Sequence, residues 1–191
     1  MQGAGVEDVM TVLARVGRLF PPSNTVEAVH TKVHLNASPE RVWQGMLFYE
    51  EVPGRPSALL RMFLPAPIRT QGEKTRVGAT IECNYEGGYL EKRITAAEPG
   101  RFVRFDVLVQ QLGVEDCISM QGGSYEIRAE EGGSEVVLTT LYRGRLRPRW
   151  LWRPLEHFLA HRLHRHILEG MRVALETSAP ARDVPALSAR G

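Results

Sequence analysis

No run of about 18 apolar residues, the length that spans a bilayer, occurs in this chain, so no membrane-spanning helix is predicted. Cysteine is scarce. Cys83 and Cys117 stand alone and far apart, which excludes a disulfide framework, a cysteine-based metal site and a C-x-x-C redox motif. The chain has no G-x-G-x-x-G or P-loop sequence, and no cofactor is expected. A G-x-S-x-G nucleophile elbow is missing too, because Gly122-Gly123-Ser124-Tyr125-Glu126 lacks the closing glycine. Near the N-terminus, Glu7 and Asp8 stand where a secretory signal carries basic residues, so the expected location is cytoplasmic. Lysine is nearly absent, with 3 against 21 arginines.

What remains is the composition of an ordinary globular protein, 43% apolar and 24% charged over 191 residues, enough for one domain with a real core. Net charge is only +2, yet it is unevenly spread. From Arg143 to Arg172 there are eight arginines and only two glutamates, Glu156 and Glu169. Such a stripe is either a solvated face or a patch for an anionic partner.

Periodicity divides the chain. Val6, Val9, Met10, Leu13, Val16 and Phe20 have helical spacing, predicting an amphipathic helix within an N-terminal extension, 1–23. Val29, Thr31, Val33 and Leu35 alternate with polar neighbours, as a half-buried strand does. Ser38 then offers an N-cap, Pro39 suits the first helical position and Glu40 the first turn. A second short helix is predicted over 57–63, between two proline-containing breaks. Further strands follow, punctuated by Gly87-Gly88, Pro99-Gly100 and Gly132-Gly133. The first of them is read with Val77, Ala79, Ile81, Cys83 and Tyr85 on one face, and 111–120 as a loop. A long last helix is predicted from about 150 to 176, with Pro154 in its first turn, and 177–191 as a disordered tail. Strands in series flanked by separated helices imply an α+β domain with an antiparallel sheet.

This order resembles the SRPBCC superfamily, the START-like, polyketide cyclase/lipid-transfer or birch-pollen-allergen-like proteins. The residues that carry the resemblance are Ala37-Ser38-Pro39-Glu40-Arg41-Val42-Trp43, the hairpin Arg93-Ile94-Thr95 to Phe102-Val103-Arg104-Phe105, and the closing helix. The resemblance covers roughly 24–176. It implies the helix-grip fold: a curved antiparallel sheet wrapped around a long C-terminal helix, two short helices after the first strand, and a cavity between sheet and helix. It implies little about chemistry, because the superfamily mixes binders, transfer proteins and cyclases.

In such a fold one face of the last helix lines the cavity. Leu151, Leu155, Leu159, Leu163 and Ile167 make an apolar arc that also contains Arg162 and His166, four residues apart. A guanidinium and an imidazole there need partners or water. One reading aims them into the cavity, at an acidic ligand; the other pairs them sideways, with Glu169 as candidate. His157, His161 and His164 fall on the opposite face and are read as solvated, with no metal site. Ile81, Cys83, Tyr85, Phe105 and Tyr125 on the strands are candidate lining, as are Met62 and Phe63, which relatives place near the cavity mouth. Each strand position is equally a plain core position. The lead functional reading is a binder or carrier of a hydrophobic small molecule such as a lipid, polyketide or aromatic metabolite. An enzyme of the polyketide cyclase or aromatase kind is the second reading, with His166, Arg162 and a tyrosine moving protons. A membrane-surface or protein-docking module using the N-terminal helix and the arginines is the third, and predicts weak, salt-sensitive contact with anionic vesicles. No nucleic-acid partner is expected. Ligand identity and oligomeric state are left open by the sequence.

Overall fold

The computed structural model describes residues 24–53 and 55–177. The expected helix over 5–20 and the expected tail after Thr177 lie outside them.

The first strand, β1 (Glu27–Leu35), leads into α1 (Pro39–Gln44), whose first turn is capped by Ser38 Oγ accepting from Arg41 N at 3.4 Å. A 3-10 turn (Tyr49–Glu51) and α2 (Ala58–Phe63, capped by Ser57) follow. Six more strands come next: β2 (Pro67–Gln71), β3 (Thr80–Tyr85), β4 (Gly88–Glu98), β5 (Phe102–Gln111), β6 (Ile118–Glu130) and β7 (Gly133–Gly144). The chain closes with α3 (Arg149–Thr177). The seven strands form one antiparallel sheet in the order β1-β7-β6-β5-β4-β3-β2. It curls around α3.

Curvature has local causes. Register shifts interrupt β4 against β5 at Glu91/Lys92 and Ile94/Ala96, and β6 against β7 at Met120/Gly122; such bulges bend and twist a strand. At Gly122, φ is +157°, and a Cβ there would lie 2.4 Å from the Phe105 carbonyl oxygen. Only glycine allows the two strands to approach so closely.

The concave face of the sheet and the inner face of α3 make the core, with Leu35, Ile81, Ile94, Val103, Val136 and Met171 all buried. Strand bounds differ from expectation in three places. The β2 strand was hidden behind Pro65 and Pro67, because a short edge strand with proline carries almost no period. Val77 is exposed and precedes β3 rather than belonging to it. The segment 111–120 is loop only in its middle, since β5 runs to Gln111 and β6 starts at Ile118. Pro154 sits in the second turn of α3 rather than the first.

Candidate functional site

Between the N-terminal half of α3 and strands β6 and β7 lies an apolar chamber of about 130 Å³. Leu155, Leu159 and Leu163 of α3 form one wall, Ile118 and Met120 of β6 the other, and Phe63 and Leu64 at the end of α2 close one side. Three groups bring polarity to this apolar lining. Thr140 of β7 bonds its hydroxyl to His164 Nε2 at 2.7 Å. Glu156 is already held by Arg149, whose Nη1 and Nη2 each lie 2.6 Å from its carboxylate oxygens. The Tyr142 hydroxyl is buried beside the Glu156 carboxylate and makes no well-formed hydrogen bond. Burial, then the Glu156 and Glu27 carboxylates, push its pKa up, so Tyr142 is a neutral phenol with Glu156 beside it. Trp152 fixes its ring in the wall by donating from Nε1 to the Arg147 carbonyl at 3.0 Å.

A second concavity, about 670 Å³, runs along β1 beside α3. His30, Thr31 and Lys32 of β1, Ser57 and Leu60 near α2, and His161, Arg162, Arg165, His166 and Glu169 of α3 border it. Lys32 is paired with Glu135, and Glu169 with Arg172. Among the described residues Arg162 and Arg165 make no ion pair; the Arg162 guanidinium lies 5.9 Å from the Phe158 ring. The arginine-rich segment is therefore partly neutralised from elsewhere: Glu27 of β1 accepts from Arg149 and, at 2.7 Å, from Arg153 Nε.

No family model matches the chain. A search of curated proteins likewise found no match. Solved structures do match. The Zhui aromatase/cyclase from Streptomyces sp. R1128 superposes with a TM-score of 0.59 at 15% identity, over 82% of this chain and 98% of its own. Norcoclaurine synthase from Thalictrum flavum gives 0.56 at 8% identity, over 95% and 97%. A Mesorhizobium loti protein gives 0.56 at 15%, over 81% and 100%. The chain has the helix-grip fold. In helix-grip terms the chamber lies between sheet and gripped helix, and the cleft lies outside, along the free edge of β1.

The expected site residues separate into four places. Phe63, Leu159 and Leu163 line the chamber. Arg162 and His166 border the cleft instead, on the outer side of α3. His166 packs its ring 5.9 Å from Tyr49, and its Nε2 is buried without a partner; burial lowers its pKa. Ile81, Cys83, Tyr85, Phe105 and Tyr125 sit in the packed core, the Tyr125 hydroxyl donating to the Leu47 carbonyl at 2.8 Å. Met62 is half exposed, at 52%. Glu169 turns to Arg172, not to His166. The histidine face is also different from expectation. His164 is fully buried, because Thr31 and Thr140 satisfy both of its ring nitrogens.

The core holds one feature missed from sequence. Glu50 of the 3-10 turn is buried against Lys92 of β4, with Oε1 to Nζ 3.6 Å. Tyr85 donates to the same oxygen, and Thr70 Oγ1 donates to the other at 3.2 Å. Burial alone would raise the Glu50 pKa, but Lys92, Tyr85 and Thr70 outweigh it and hold the carboxyl below its usual value. The Lys92 ammonium sits 4.4 Å from the Phe48 ring centroid and 5.3 Å from that of Phe105, an arrangement that favours the charged form. Burial pushes the neighbouring Cys83 thiol up to about 11, so it is no nucleophile at neutral pH. A signal existed: Leu90, Lys92 and Ile94 put a lysine in the phase of a buried face.

Proposed function

We propose that the protein binds a hydrophobic small molecule, no larger than a single aromatic ring with a polar substituent, in the chamber beneath α3. The observation that carries this is the apolar lining of the chamber, Leu155, Leu159, Leu163, Ile118 and Met120, with the Tyr142 phenol set in its wall. A buried donor left unmade costs about 1–3 kcal/mol, and an occupant that accepts from it removes that cost. Size limits the ligand class. An apolar cavity of about 150 Å³ holds one benzene, and this chamber of about 130 Å³ is of that order, too small for an acyl chain or a folded polyketide. The ring-bearing partners in the norcoclaurine synthase structure, dopamine and hydroxybenzaldehyde, are of the same size class.

Burying roughly 150 Å² of ring surface yields roughly 4 kcal/mol before association costs, so simple probes should bind no tighter than about millimolar. Phenol and toluene, titrated against Trp152 fluorescence and ring-proton NMR shifts, test the proposal. Phenol should bind more tightly than toluene by about five- to tenfold, one hydrogen bond's worth. Tyr142→Phe should remove the difference. Equal binding of the two probes by the unaltered protein, or no binding of either, would sink the reading. Native mass spectrometry of freshly purified protein then identifies any retained occupant.

An enzymatic role is the second reading, and one observation favours it: a neutral phenol stands beside the Glu156 carboxylate in the chamber wall. The aromatase/cyclase neighbour fits this reading. Turnover of a short β-polyketone mimic that survives Tyr142→Phe unchanged would exclude it.

A further inference from the structure

The chamber and the cleft lie on different sides of the seam between α3 and the sheet, and a continuous chain of hydrogen bonds joins them. Thr140 Oγ1, on the chamber wall, is 2.7 Å from His164 Nε2. His164 Nδ1 is 2.9 Å from Thr31 Oγ1. Thr31 Oγ1 is in turn 2.8 Å from His161 Nδ1, at the cleft. The middle of the chain is sealed, with His164 at 0% and Thr31 at 9% exposure. Burial, followed by the charges of His161 and His30, lowers the His164 pKa to about 3, so its imidazole stays neutral, with one N–H and one bare nitrogen.

A neutral imidazole between two hydroxyls has two consistent arrangements. In the first, Thr140 donates to His164 Nε2, His164 Nδ1–H donates to Thr31, and Thr31 donates to His161 Nδ1. In the second, every bond points the other way: His161 Nδ1–H to Thr31, Thr31 to His164 Nδ1, and His164 Nε2–H to Thr140. The two arrangements differ by one proton shifted at each link. Going from first to second, the Thr140 proton passes to Nε2, the Nδ1 proton passes to Thr31, and the Thr31 proton passes to His161. Thr140 is recharged by one proton from the chamber side. No bond between heavy atoms changes and no electron is transferred.

We propose that this chain is a proton relay: a proton given up by an occupant of the chamber emerges on His161 at the cleft, and the reversal turns Thr140 from an acceptor into a donor toward the chamber. The role of the occupant rests on the chamber being the ligand site; the coupling between the two histidines does not. The charged and titratable groups around His161 are His30 and Lys32 of β1 and Arg162, Arg165, His166 and Glu169 of α3 at the cleft, with His164 buried behind them.

Ring-nitrogen NMR of the full chain carrying ¹⁵N-histidine tests the relay without any ligand. The pH is lowered from about 8 to about 5, the range in which histidines charge. His164 should remain neutral and exchange an Nδ1–H for an Nε2–H over the same pH interval. Thr31→Val removes the middle link, and His164 should then hold one tautomer throughout. Should Thr31→Val not fold, His161→Phe, at a half-buried position, provides the same comparison with the same expectation. The relay is overturned if His164 keeps one tautomer over that interval in the unaltered protein, or if His164 still switches in either variant. Failure of phenol to bind would remove the chamber as a ligand site and leave the NMR outcome to decide the relay alone.

Discussion

At the scale of single residues, Tyr142 and Lys92 show opposite ways of burying a polar atom. The Tyr142 hydroxyl is buried with no well-formed bond beside Glu156, so its removal should change stability by no more than about 1 kcal/mol; urea denaturation of Tyr142→Phe checks this. Lys92 is buried and fully engaged. Its ammonium has the Glu50 carboxylate at 3.6 Å and the Phe48 ring at 4.4 Å. Breaking one half of such a pair leaves the other charge stranded in the core. Lys92→Met is therefore expected to destabilise by about 3–5 kcal/mol, and the double change Lys92→Met with Glu50→Leu by much less. Denaturant midpoints of the two variants, compared at constant m-value, make the test. A double variant no better than the single one would show that the pair holds the 3-10 turn in place rather than merely neutralising itself.

At the scale of elements, the start of α3 is moored to the edge strand. Glu27 of β1 accepts from Arg149 and Arg153 and lies 3.4 Å from His157 Nε2. Its side chain is only a tenth exposed. Burial by itself would raise the Glu27 pKa, but Arg149, Arg153 and His157 together lower it. The turns moored in this way carry Trp152, Leu155 and Glu156, all of which line the chamber. Glu27→Gln should lower stability by about 1–3 kcal/mol, and it should weaken phenol binding without any contact to the chamber. Thermal melts and probe titration read the two effects separately. Unchanged phenol affinity together with a lowered melting temperature would show that the mooring serves stability alone.

At the scale of the whole molecule, acid should undo the fold through the seam between helix and sheet. The unfolded His164 takes a proton near pH 6.5, whereas the folded one takes it only near 3. Between these values the unfolded state binds one more proton than the folded state. Stability due to this group is thus complete above about 6.5 and is lost as pH falls, at up to about 1.4 kcal/mol per pH unit. Glu50 and Glu27, both held below the usual carboxylate value, add losses at the lower end, as pH falls through their folded pKa values. Denaturant melts of the protein and of His164→Gln, at pH 7 and at about pH 5, test this: the gap between the two pH values should shrink in the variant. A gap of equal size would assign the acid lability to the carboxylates.

The sequence by itself determined the elements other than the edge strand β2. Alternation in β1, the Ser38-Pro39-Glu40 cap and the long apolar arc of the last helix are local patterns, set by steric and hydrogen-bonding rules that act within a few residues. Those patterns also carried the likeness to helix-grip proteins. Tertiary structure decided the site. Whether a strand residue faces a cavity or a filled core depends on what stands opposite, and Phe48, Tyr49 and Glu50 fill the space in front of Cys83, Tyr85 and Phe105. Helical phase placed Arg162 and His166 within the apolar arc, yet the docking of α3 between β1 and α2 turned both toward the cleft. His164 lay on the face read as solvated, and two threonines more than twenty residues away supplied the hydrogen bonds that let it be buried. Periodicity reports which side of an element is apolar; only the packing of elements decides which apolar positions remain unfilled and which polar groups find a partner.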